Sequence, residues 1–482
     1  MDDLIFQIAP SNGSARRLVI AYRGEHEVFR DETNPNRAAD RERFGEQLAR
    51  QLGMPLKEIL PRIHTELPAA ADAADQQAEE LAAQAEPAWE PTAQAKAAAE
   101  RLLARPDLLA HVARAAETLG VVNERKLVFL VYLAATSRLL PKPIYLLVKG
   151  EPSSGKSFIT SAVARLFPPG VVLEASDLTP QALYYLRDEG LQRRVLLLGE
   201  RKRQIADESV DRTKALRELV ENGRLSLLVT NPKARRAERI EVEGPAAVIE
   251  TCSHEAVAHE DLTRAVQAWP NDSPEQTRLV VTELARRKAH GQPQLSQEEQ
   301  EALWAVQHLL EPAEVVLPFL PAIAKRFPTS RLEARRAFPR LVALAEASAL
   351  LHQRQRERDA QGRIVAIEDD LRLALRVSQQ WLDVSVGGGV PPRAARVWAV
   401  VREREGTFTL ADLPQKLGGE KTLQRALADL EKAGALELAE EWSNGKAKVY
   451  QVIDPGWEPG TLDLGLGTWT PGQTGTVKEC PA

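Results

Sequence analysis

Gly150-Glu151-Pro152-Ser153-Ser154-Gly155-Lys156-Ser157 is the stretch from which the rest of the chain is read. Glycines bounding a four-residue interval allow a tight loop whose backbone N–H groups converge on an anion. The lysine that follows reaches the β and γ oxygens of a nucleotide, and the next hydroxyl holds Mg²⁺. The string has this meaning between a strand and a helix. Both are present here, as the apolar run Ile144–Val148 and the helical spacing of Phe158–Leu166. All eight residues, Gly150, Glu151, Pro152, Ser153, Ser154, Gly155, Lys156 and Ser157, are therefore expected to bind nucleotide, with ATP and Mg²⁺ as the implied cofactors.

Outward from the loop, residues 144–287 alternate strands with helices. The strands Ile144–Val148, Val171–Glu174, Val195–Leu198 and Ala246–Ile249 are short, mostly apolar runs of the kind buried on both faces of a parallel sheet. An α/β core is expected. The strand Val195–Leu198 ends in Gly199-Glu200, where such an ATPase needs one acid for the metal's water and another to polarise the attacking water. Gly199 leaves the first acid missing. Glu200 is the candidate for the second role, or for both roles with Ser157 and solvent completing the metal shell.

These elements resemble the AAA-plus helicases of the minichromosome maintenance and superfamily-III kinds, and more closely the primase-associated helicase-like ATPases of phages and mobile elements. The resemblance covers about residues 96–385. It implies a hairpin, Leu225–Val229 and Ile240–Val242, pointing into a central pore with Lys233, Arg235, Arg236 and Arg239 at its tip. It also implies that Ala246–Ile249 is the sensor-1 strand with its polar end at Thr251, a position where the family often carries Asn. Asp261-Leu262-Thr263-Arg264 resembles the segment that lends an arginine finger to the neighbouring subunit, and Arg336 resembles the sensor-2 arginine opening a lid helix. An arginine beside the γ-phosphate adds fixed charge where the transition state develops its own, an effect of roughly 10³–10⁵ in rate.

The four cations Lys233, Arg235, Arg236 and Arg239 lie within seven positions without an interleaved aromatic residue. They suit tracking of a phosphate backbone rather than base stacking, although a solvated charged loop would look the same. Residues 391–454 read as a winged helix, with Trp398 in the first helix, a third helix over about Glu420 to Ala433 and a hairpin turning at Ser443-Asn444-Gly445. Lys421, Gln424 and Arg425 lie on the outer side of that third helix. Such a unit either enters a DNA groove or docks a protein.

The expected organisation is a small N-terminal α+β unit (1–67), an Ala/Glu/Pro linker (68–91), the α/β core with leading helices (92–287), a helical lid (288–386), the winged helix (391–454) and a flexible tail (455–482). With 482 residues several domains are required. The net charge of −5 excludes a chain that binds nucleic acid over its whole surface, and two distant cysteines imply neither a disulfide framework nor a zinc site. No run approaches the roughly 20 apolar residues of a membrane span, so a cytoplasmic protein is expected. Together these features point to a Mg²⁺-dependent ATPase acting on single- or double-stranded DNA, a helicase or helicase-like translocase in a homo-oligomeric ring of hexamer type. No polymerase-like acidic triad is evident, so any primase would be a separate chain. The alternative is an ATP-gated DNA-binding regulator or loader with slow or no hydrolysis, for which Gly199 speaks.

Overall fold

The computed structural model describes residues 4–8, 16–23, 26–83, 89–175, 190–201, 215–216, 218–231, 236–252, 262–414, 417–439 and 447–466. The chain divides into two units, residues 1–89 and 90–482. In the first, β1 (Leu4–Ile8), β2 (Arg17–Arg23) and β3 (His26–Thr33) form an antiparallel meander. Alternation turns Leu4, Phe6, Ile8, Val19 and Ala21 toward Phe44 and Leu48 of α1 (Ala38–Leu52) and Ile59, Ile63 and Leu67 of α2 (Leu56–Ala83). The stretch expected as a linker from residue 68 thus begins as the continuation of α2. Ala, Gln and Glu favour helix, and buried Ala71 anchors one further turn on the core.

The second unit opens with α3 (Ala93–Leu103), α4 (Leu108–Leu119) and α5 (Arg125–Thr136). Then come β4 (Tyr145–Lys149), α6 (Lys156–Ala164), β5 (Val172–Ala175), β6 (Val195–Arg201), the hairpin β7 (Arg224–Asn231) and β8 (Arg236–Glu243), β9 (Ala247–Cys252) and β10 (Val266–Ala268). Five strands pair in the order β10-β4-β9-β6-β5, all parallel. β4 and β9 are buried at every position, as suits strands covered on both faces, and the polar Lys149, Glu250 and Thr251 are buried with the apolar residues. One sheet face, with Leu147, Leu196, Leu198 and Val248, packs on Leu216, Leu219, Leu225 and Val242. On the other, Leu197 and Ile249 adjoin Val131 of α5 and Val163 of α6.

Next come α7 (Pro274–His290), α8 (Gln297–His308), β11 (Val315–Val316), α9 (Leu320–Ala324), α10 (Ala334–Leu351), β12 (Ile364–Val365) and α11 (Glu368–Ser385). Two features depart from the all-helical lid expected over 288–386. β11 and β12 form a short parallel pair, and α8 packs on α3 of the core. The packing of α8 is polar as well as apolar: buried Gln307 donates Nε2 to Thr136 Oγ1 at 2.9 Å and accepts from Arg138. α10 and α11 pack on each other and on α5. Ser348 Oγ of α10 donates to Asp370 of α11 at 2.7 Å, and Arg356, from the segment between the helices, pairs with both oxygens of that buried carboxylate at 2.8 Å.

The last unit comprises α12 (Pro392–Val401), β13 (Thr407–Thr409), α13 (Glu420–Lys432), β14 (Leu436–Leu438) and β15 (Val449–Val452). The strands form an antiparallel sheet in the order β13-β15-β14. Trp398, Leu423, Leu427, Leu430 and Tyr450 fill its core. The described part of the stretch expected as a flexible tail is packed. Trp457 meets Trp398 edge to face, and Leu462 and Leu464 are buried beside α11, where Leu462 N–H donates to Asp383 Oδ1 at 2.7 Å. The crossing requires glycine: a Cβ on Gly460 would lie 1.8 Å from the carbonyl oxygen of Gly387. Among the described residues, no helix is long and apolar enough to cross a membrane.

Because Asp370 is fully buried against a buried guanidinium, Asp370→Ala should lower stability by about 3–5 kcal/mol by stranding that charge. Urea titration measures the loss; an unchanged midpoint would contradict it.

Candidate nucleotide site

The loop leaves β4 at Gly150, whose N–H donates to Cys252 O of β9 at 3.3 Å. A Cβ at Gly150 would meet Ser154 Oγ at 2.6 Å, so any larger residue there would turn the serine side chain away from its place in the loop. Gly155 has φ +84° and precedes α6 with no side-chain cap. The first-turn amides of α6 are thereby left for an anion, on the positive end of the helix dipole. Lys156 is buried, with Nζ donating to Gly150 O and Glu151 O at 2.9 Å each, while Ser157 next to it is exposed.

Thr251 enters this site through the sheet. It pairs with Val148 across β9 and β4. On the other side Leu198 opposes Glu250 and Arg201 opposes Cys252, with an irregularity between them, so Gly199 and Glu200 together stand level with Thr251. The side chain of Glu200 lies outside the described residues. Thr251 Oγ1 and Ser154 Oγ are buried without a hydrogen-bond partner among the described residues. Two orphaned hydroxyls, an uncapped helix start and a buried lysine fit a polyphosphate. Mg²⁺ would be held at the exposed hydroxyl of Ser157, with phosphate oxygens and water as its other ligands.

Beside the loop is a cavity of about 510 Å³, within the size range of small-molecule sites. The segment 120–124, the loop residues Glu151–Gly155, Phe158 and the α7 residues Gln276, Val280 and Leu284 line it. Gln276 fixes the 120–124 segment, donating Nε2 to Val122 O at 2.6 Å and accepting from Asn123 Nδ2 at 3.1 Å. Sequence reasoning missed these residues; only the apolar Phe158, one position after the loop's serine, offered a local signal. Glu124 also lines the cavity. Burial raises its carboxyl from 4.5 to about 7, against the lowering effect of the Asn271 N–H at 2.6 Å and with a further increase from Asp272.

The candidate arginine finger, Arg264, and the candidate sensor-2 arginine, Arg336, lie in one cluster. Arg264 pairs with Glu221, Arg336 donates to Thr263 Oγ1, and Arg340 donates to Arg264 O and, at 2.6 Å, to Arg336 O. Burial lowers Arg340 to about 10, and Arg336 and Arg264 add to the shift. β7 and β8 pair from Arg224↔Glu243 to Asn231↔Arg236 as a sheet of their own. Arg236 and Arg239 thus lie on β8, while Lys233 and Arg235 fall outside the described residues. Lys421 and Gln424 are exposed on α13, and Arg425 is half-buried.

Residues 94–308 match the MTBMA_p00010 P-loop domain. The match runs from α3 to α8 and supports a P-loop NTPase domain built around Gly150–Ser157. No curated protein matches the chain.

The Glu124 geometry carries a pH dependence. The unfolded carboxyl releases its proton near 4.5 and the folded one near 7, so stability falls as pH rises between these values. Glu124→Gln should match the wild type near pH 4.5 and exceed it by about 1–3 kcal/mol at about pH 8. Denaturant midpoints at the two pH values check this; no gain at the higher one would refute the burial account.

Proposed function

We propose that the chain is a Mg²⁺-dependent ATPase of the AAA-plus kind that acts on DNA as a helicase or helicase-like translocase of a replication module, working as a homo-oligomeric ring. The observation that carries this reading is the strand order: β9 lies between β4 and β6, so the loop, Thr251 and Glu200 share one edge of the sheet. In this reading Lys156 and the first-turn amides of α6 bind the β and γ phosphates, and Ser157 ligates the metal. Mg²⁺, when bound, offsets charge on those oxygens. Glu200 takes the proton of the attacking water and Thr251 orients it. Arg264 serves a neighbouring subunit's γ-phosphate, with Arg336 beside it because both belong to one cluster.

The hairpin β7–β8 supports the DNA assignment: Arg236 and Arg239 lie on β8 rather than at the tip, and the sequence joining the two strands contains Lys233 and Arg235. The C-terminal unit, with three strands and α13, supports a winged helix whose Lys421, Gln424 and Arg425 contact duplex DNA. A partner primase on another chain would complete the module. The second reading, an ATP-gated DNA-binding regulator, is favoured by Gly199, which leaves the metal's water without its usual acid.

Hydrolysis measured with and without single-stranded DNA separates the two. Lys156→Ala should abolish ATP binding or turnover, whereas Glu200→Gln should keep ATP bound and lose roughly 10²–10⁴ in turnover. Wild-type turnover in Glu200→Gln would assign the base elsewhere.

Replacing Lys233, Arg235, Arg236 and Arg239 by alanine should leave basal hydrolysis intact and remove DNA stimulation. The slope of log affinity against log salt should fall by about 0.7 for each single-strand phosphate that is no longer neutralised. An unchanged slope with full stimulation would favour the regulator.

A further inference from the structure

The C-terminal unit is docked on the phosphate-binding loop itself. Arg396 of α12 pairs with both oxygens of Asp272, at 2.5 and 2.9 Å. Thr422, in the first turn of α13, donates Oγ1 to Oε1 of Glu151 at 3.3 Å. Arg393 lies one turn before Arg396, on the same side of α12. It lines a small cavity of about 10 Å³ together with Lys149, Gly150 and Ser154.

Three atoms around this cavity are unsatisfied. Arg393 Nη2 donates to Asp429 Oδ2 at 2.8 Å, but its Nε and Nη1 are buried without a partner among the described residues, as is Ser154 Oγ. Buried guanidinium donors facing no acceptor are an unfavourable arrangement, and a group of such atoms marks the place of a missing acceptor. Lys149 adds a second cation to the lining, and the one carboxylate there, Asp272, is already held by Arg396. Burial pulls the Lys149 ammonium below the ordinary lysine range, Arg393 adds to that shift, and Asp429 opposes it. Lys156 holds the carbonyl of Gly150 from within the loop.

We propose that Arg393 is a nucleotide-sensing residue acting in cis, donating Nε and Nη1 to the bound phosphate chain, directly or through one water, and so coupling nucleotide occupancy to the docking of residues 391–466. This rests on the nucleotide-binding reading of the loop. It adds a consequence for DNA. Thr422 sits between Lys421 and Gln424 on one short helix, so a ligand on that helix and a nucleotide in the loop act on the same rigid element, and each alters the affinity of the other by the same factor.

The test is calorimetric titration of the 482-residue chain with Mg²⁺-ATP, beside hydrogen–deuterium exchange of residues 391–466 with and without the nucleotide. Arg393→Met should weaken ATP binding by about tenfold to a hundredfold and abolish the ATP-dependent slowing of exchange seen in the wild type. Arg393→Lys should fall between the two. Wild-type affinity together with wild-type protection in Arg393→Met overturns the inference. If Arg393→Met exchanges faster in 391–466 before nucleotide is added, Arg396→Gln decides, because it loosens the docking through Asp272 but leaves the Arg393 donors in place. At matched exchange rates, a smaller loss of ATP affinity in Arg396→Gln than in Arg393→Met supports the role of the Arg393 donors, and an equal loss overturns it. Lys156→Ala separates the premises: its loss of binding with Arg393→Met unaffected refutes only the sensing role, whereas wild-type binding in both refutes the nucleotide reading as well.

Discussion

The placement of β9 between β4 and β6 is the constraint on which the rest of the second unit depends. β9 is hydrogen-bonded on both sides, buried along its length, and holds the first amide of the phosphate-binding loop through Cys252 O. A carboxylate lies in its middle. Glu250 has no exposure and accepts the Tyr145 hydroxyl at 2.7 Å, so a side-chain bond joins β9 to β4 beside the backbone ladder. A carboxylate in such surroundings persists only with a donor in place, which makes the register of these two strands costly to shift. That register sets Thr251 level with Val148 and with Gly199-Glu200.

Charge is organised locally in a molecule whose net charge is −5. Around Gly150, the cations Lys149, Lys156 and Arg393 share the region with the acids Glu151, Asp272 and Asp429, and Asp272 and Asp429 are each held by an arginine of α12. A nucleotide entering here would meet a balanced network, and binding would redistribute its pairs rather than fill a simple positive pit. The larger cavity beside it has a different character, with apolar walls from Val121, Phe158, Val280 and Leu284 and one carboxyl, Glu124, that is protonated well above the usual range.

Much of the second unit was legible because its signals are local. The apolar runs became β4, β5, β6 and β9, and the glycines of the loop stand where a close approach and a left-handed φ demand them. Trp398, Leu423, Leu427 and Leu430 became the core of the C-terminal unit because helical spacing alone puts them on one side. Local reading failed where composition and packing disagree. The Ala- and Glu-rich stretch after Leu67 looked too polar to fold, yet it extends a helix already anchored by neighbours; the Gly- and Thr-rich stretch after Asp454 buries two leucines against α11.

The sequence by itself determined the loop, its flanking strand and helix, and the residue types available for phosphate and metal, since each depends on spacings of a few residues. Only the tertiary structure decided which distant residues meet. It placed Arg336 beside Thr263, 73 positions away, and Thr422 on Glu151, 271 positions away. It also built the larger cavity from the 120–124 segment and α7, and brought Arg393 to the edge of Gly150. Periodicity tells which side of an element is buried but not what covers it. The covering partner is chosen by the packing of whole helices and sheets, through interactions that leave no pattern in the local sequence.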